Sequence, residues 1–118
     1  MEDFIKREID RFGEMLLKIA LKLGLVGEKV PEYSVANVEE EFGRAGIPFD
    51  IESVLKMDNP IMYLVENAQL SDNGLETFIE ILFHSDLDES KKSALLDDAL
   101  TYLDGKGYYS FKLHSLEG

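Results

Sequence analysis

Seven apolar residues near the start of the chain, Ile5, Ile9, Phe12, Leu16, Ile19, Leu23 and Val26, recur at alternating spacings of four and three. At about 100° per residue they form one narrow seam along an α-helix. A second stripe, Leu17, Leu21 and Leu25, spaced by four, lies on nearly the opposite side. The second half of this helix is therefore apolar on two faces and needs two coverings. Arg11, Lys18 and Lys22 run between the stripes, and Gly24 and Gly27 supply stop signals before Pro31. A long amphipathic first helix over residues 1–26 is expected.

The same grammar continues downstream. Ser34 is a candidate N-cap for a helix carrying Val35, Val38 and Phe42, with Gly43 to Gly46 ending it. Asp50, after Pro48, caps a short helix with Ile51, Val54 and Leu55. Asn59 followed by Pro60 pairs an N-cap with proline at the first helical position, and that helix is expected to reach about Gln69. Ser71 or Asp72 opens a helix whose Leu75, Phe78, Ile79, Leu82 and Phe83 follow the i, i+3, i+4, i+7, i+8 pattern. Ser85 or Asp86 is expected to cap a last long helix bearing Leu95, Leu96, Ala99, Leu100 and Leu103, stopped by Gly105.

In the tail, Tyr109, Phe111 and Leu113 alternate with Ser110, Lys112 and His114, which reads as an extended segment; a last helical turn capped by Ser110 is the alternative. The expected fold is all-α, five or six antiparallel helices in a bundle or array joined by short connections. It is one domain over 1–118: the first helix at 1–26, an acidic helical array at 34–104 and an aromatic tail at 107–118, extended or helical, folded over the first helix.

Charge and composition exclude several functions. The net charge is −12, and its excess is uneven: residues 1–29 hold six acids and six bases, residues 30–118 eighteen acids and six bases. Such a surface repels phosphate backbones, so no nucleic-acid partner is expected. With no cysteine, disulfides, thiolate zinc sites and cysteine nucleophiles are ruled out, and a cytoplasmic setting is expected. The opening MEDFIKREIDRF carries acids where a secretory leader would be basic, so no signal peptide is expected. The longest uncharged run, Asn59 to Val65, falls far short of the ~20 apolar residues that cross a bilayer.

Candidate chemistry is sparse. Glu80, His84, Asp86 and Asp88 form the sharpest metal candidate, because Glu80 and His84 share a helical face and carboxylate with imidazole suits a first-row transition metal. Capping and helix-dipole roles explain the same residues and are preferred, so no metal or other cofactor is expected. Asp72-Asn73-Gly74 and Asp86-Leu87-Asp88 lack the spacing of a calcium loop. Asp97 with Asp98, and Glu39 to Glu41, are neighbours on single helices and cannot face each other across a pocket as an acid and base must. Gly105-Lys106-Gly107 follows a helix instead of opening one, so it lacks the dipole that favours phosphate. No catalytic residue is expected.

The run from Asp3 to Leu16, DFIKREIDRFGEML, the helical-hairpin middle and the ending Tyr109-Ser110-Phe111 resemble an uncharacterised bacterial domain family with tetratricopeptide-like helices. The chain lacks the tryptophan and the 34-residue self-similarity of the tetratricopeptide repeat, and residues 59–104 have room for one degenerate repeat. The resemblance implies a helical fold and a scaffolding role.

A non-catalytic interaction module, self-associating or bound to another protein, is the expected function. Its candidate contact residues are Leu17, Leu21, Leu25, Tyr109 and Phe111. Burial of the second stripe within the fold and self-association are both expected ahead of membrane contact. A small-ligand or metal-binding protein using the Glu80, His84 and Asp86 region is the alternative function, and a regulator engaging a partner through Tyr108 to Leu113 is a third.

Overall fold

Side-chain caps set five of the helix starts in the computed structural model, which describes residues 11–25 and 33–117. Within those residues lie seven helices and no strand: α1 (Arg11–Leu23), α2 (Val35–Ala45), α3 (Ile51–Leu55), α4 (Pro60–Glu66), α5 (Asp72–Phe83), α6 (Glu89–Gly105) and α7 (Phe111–Leu116). Ser34 and Asn37 form a reciprocal capping box, each side chain accepting the other's backbone N–H at 3.1 Å. Asp50 accepts from Ser53 N–H at 2.7 Å, Asn59 from Met62, Ser71 from Gly74 and Ser110 from Leu113. The Ser53 hydroxyl and amide hold the Asp50 carboxyl below its usual range. The tail thus takes the helical alternative, and the helices number one more than the upper expectation because it does.

The helix ends depart from expectation in three places. Residues Ile5, Ile9, Val26 and Gly27 lie outside the described residues, but α1 already stops at Leu23, where Gly24 turns left-handed (φ +91°). Helix α4 stops at Glu66, short of Gln69. The amides of Asn67 and Ala68 both donate to Tyr63 O, Leu70 N–H reaches back to Leu64 O at 3.0 Å, and Gln69 itself adopts φ +55°. Helix α6 runs through Gly105 and is stopped by Gly107 (φ +85°), with Tyr108 N–H closing onto Leu103 O at 2.9 Å.

The core is built around α5, which packs against α1, α6 and α7. Every residue from Gly74 to Ile79 is buried, as are Ile81 and Leu82. The first helix, expected as the central or interfacial element, packs against α5 and buries Leu16, Ile19 and Ala20. A Cβ added at Gly74 would stand 3.2 Å from the Gly13 Cα, so the two backbones cross closely where neither carries a side chain. Phe49, in the connection between α2 and α3, is the aromatic hub: its ring meets Phe12, Phe42, Tyr63 and Phe78 at centroid separations of 6.1 to 6.5 Å. A loop residue in that position escapes any search for helical periodicity. No helix among the described residues is long and apolar enough to cross a membrane.

Candidate interaction surface

The second stripe of α1 divides in the structure. Leu17 and Leu21 remain 48% and 49% exposed on consecutive turns, whereas Leu25 packs against the core. The reason is Gly24: its left-handed turn takes the chain out of helical register, and Leu25 N–H closes onto Ala20 O at 3.0 Å. Leu25 therefore leaves the stripe expected of it, and the exposed face consists of Leu17 and Leu21.

On one side Leu17 borders a cleft of about 330 Å³ shared with Gly13, Glu14, Asn73, Gly74, Thr77 and Lys112, so α1, α5 and α7 meet there. The tail, expected to fold over the first helix, packs instead mainly against α5 and α6. What holds it is a buried carboxylate. Glu76, 5% exposed and the one charged side chain among the buried residues of α5, accepts hydrogen bonds from the Ser110 hydroxyl and from the Tyr108 hydroxyl at 3.0 Å. Burial, reinforced by Glu76, raises the Tyr108 phenol above its ordinary range. Lys106 adds an ion pair to Asp72 at 2.9 Å, and the Asp72 carboxylate raises its pKa.

This arrangement fixes Leu113 in the core and turns the neighbouring aromatics outward. Tyr109 is 59% exposed and Phe111 80% exposed, their rings in edge contact at 4.9 Å. Tyr109 also stacks on His114 at 4.4 Å. His114 in turn faces Glu117 at 3.0 Å and Asp104 at 3.5 Å, and the Glu117 carboxylate is the main cause of a pKa raised above 6.5. Four of the five expected contact residues thus form two exposed apolar pairs, Leu17 with Leu21 on α1, and Tyr109, just before the N-cap Ser110, with Phe111, the first residue of α7.

The metal candidate is not assembled. Among the described residues no three His, Asp or Glu side chains are grouped as a metal ion requires. Glu80 lies on α5 close enough to Tyr33 for its charge to add to the burial that pushes the phenol upward. His84 caps the C-terminus of α5 and meets Phe83 edge to face. Asp88 stands at the N-cap position of α6 and accepts the Ser90 hydroxyl, which holds its carboxyl below the usual range.

Asp86 and Ser85 do not cap α6 as expected. The Ser85 hydroxyl donates to Leu82 O at 2.6 Å, while Asp86 accepts the Val35 N–H at 2.8 Å and so serves the start of α2, 51 positions away. Tyr33 ties the same junction together by donating to Ile81 O at 2.6 Å.

The periodicity of α5 contained one unread signal. Glu76 occupies the stripe shared by Ile79 and Phe83, three and seven positions on, where a carboxylate must find donors or stay in water. Its donors, Tyr108 and Ser110, come from the tail. No family model, curated protein or solved structure matches the chain.

Proposed function

We propose that this chain is a non-catalytic protein–protein interaction or scaffolding module, and that it contacts its partner, in the first instance a second copy of itself, through the leucine flank of α1. One observation carries the reading: Leu17 and Leu21 are half exposed on consecutive turns of a helix whose Leu16, Ile19 and Ala20 are buried. Fully burying an exposed leucine is worth about 1.5–3 kcal/mol, so covering the exposed half of each of these two adds about half of that per side chain to association. An isologous contact between two such flanks needs only that each leucine pair meet the other. Tyr109 and Phe111 supply the residue types that anchor protein interfaces, at the start of a helix whose Lys112 shares a cleft with α1.

The antiparallel, tetratricopeptide-like arrangement and the cytoplasmic setting belong to the same proposal. The capped, short connections support the first, and the absence of cysteine the second. The test is the mass of the chain in solution before and after Leu17 and Leu21 are both changed to aspartate, with circular dichroism to establish that helix content is kept.

A further inference from the structure

The other flank of α1 is basic. Lys18 and Lys22 follow Leu17 and Leu21 by one position each, which rotates them toward α2. With Arg44 of α2 they line a cleft of about 340 Å³ whose apolar surface comes from Met15, Ile19 and Ala45. In a chain with 24 acids and 12 bases, a cleft lined by three cations and one acid, Glu41, is a local reversal of the surface charge.

The protein itself shows what these cations accept. Glu41 reaches between them and pairs with Lys22 at 3.1 Å and with Arg44 at 3.4 Å, and Glu40 takes the other guanidinium nitrogen of Arg44 at 2.6 Å. Glu41 is only 16% exposed, so one carboxylate is already seated in the wall of the cleft. Lys18 has no ion-pair partner among the described residues, and it stands one turn before Lys22 on the same edge of α1.

We propose that the cleft between α1 and α2 is a docking site for an acidic segment of a partner protein, which sets a carboxylate against Lys18 and an aliphatic side chain against Met15, Ile19 and Ala45. A phosphate would bring up to two negative charges beside Glu41, whereas a single carboxylate extends the pairing already present. A second copy docked isologously would place Lys18, Lys22 and Arg44 against their own counterparts, a like-charge arrangement that costs affinity. The inference rests on the reading of this chain as an interaction module, but it uses the opposite flank of α1 from Leu17 and Leu21.

The test is fluorescence anisotropy with a labelled peptide of glutamate, leucine and alanine, and with its twin in which every glutamate is glutamine. The glutamate peptide binds and the glutamine twin does not, and raising salt from about 0.05 to about 0.5 M weakens the complex. Lys18→Glu lowers affinity by about tenfold or more, Lys18→Gln lowers it less, and Lys56→Glu, at the C-cap of α3 and outside the cleft, leaves it unchanged. Absence of binding by the glutamate peptide, equal binding of the twin, equal loss with Lys56→Glu, or displacement by millimolar inorganic phosphate would each overturn the proposal. Sedimentation separates the two surfaces. A self-associating chain that ignores the peptide defeats the cleft alone, and a monomeric chain that binds it defeats the leucine flank as a self-contact alone.

Discussion

Glu76 on α5 and Ser110 at the start of α7 are hydrogen-bonded across 34 positions of chain, and the same serine oxygen accepts Leu113 N–H. One hydroxyl therefore satisfies a buried carboxylate and caps a helix at once. The tail is held by this junction as well as by the burial of Leu113, and the outward placement of Tyr109 and Phe111 depends on it.

Removing the carboxylate takes away the side-chain acceptor of the Ser110 hydroxyl and leaves the Tyr108 hydroxyl only Asn73 Oδ1, at 3.2 Å. Glu76→Ala is expected to destabilise the chain by about 1–3 kcal/mol in denaturant unfolding. Hydrogen exchange should show protection lost first at Leu113 and His114, with α5 less affected. Uniform loss across α5 and α7 would mean that Glu76 does not act as a latch for the tail.

The close crossing of α1 and α5 at Gly13 and Gly74 predicts a steric effect. Gly74→Val puts a Cβ 3.2 Å from the Gly13 Cα, so α1 must give by tenths of an ångström, and the branched carbons beyond it are expected to cost about 1–3 kcal/mol. The measurement is the denaturation midpoint, with near-ultraviolet circular dichroism reporting the packing of the Phe12 and Phe49 rings. An unchanged midpoint would show that α1 can shift away freely.

Both predictions rest on contacts that no local reading could supply. The caps at Ser34, Asp50, Asn59, Ser71 and Ser110 were legible because each bonds to a backbone amide within three positions. The two-faced character of the first helix was legible because its periodicity is intrinsic to α1. Asp86 was misread as a cap for the helix that follows it because its true partner, Val35, is distant in sequence and near only after folding. The stop at Gly107 instead of Gly105, and the departure of Leu25 from its stripe, depended on which glycine takes the left-handed turn. The basic cleft needed α1 and α2 side by side before Arg44 could join Lys18 and Lys22.

Asp86 gives a direct check on that long-range cap. Asp86→Ala removes the acceptor of Val35 N–H and is expected to cost about 0.5–2 kcal/mol, the usual range for a lost N-cap. The loss should appear as faster hydrogen exchange in the first turn of α2, while α6, which Asp86 does not cap, keeps its protection.

His114 predicts a pH dependence whose sign is set by its neighbours. Its pKa is raised in the fold above 6.5, chiefly by the Glu117 carboxylate and then by Asp104, so the protonated ring is favoured by folding. Its contribution is fully present below pH 6.5 and is lost as pH rises through the folded-state value. Melting temperatures of the wild type and His114→Gln should therefore differ most at acidic pH and converge above neutrality. A difference independent of pH would show that the stacking on Tyr109, and not the charge, is what His114 contributes.

The central claim is that Leu17 and Leu21 form a contact surface for a second copy of the chain, and sedimentation equilibrium tests it most directly. The wild-type chain is expected to show a mass that rises with concentration toward twice that of the 13.4 kDa monomer. The Leu17→Asp, Leu21→Asp variant, with helix content unchanged, is expected to remain at the monomer mass throughout. Identical mass behaviour for the two proteins over the same range would contradict the account.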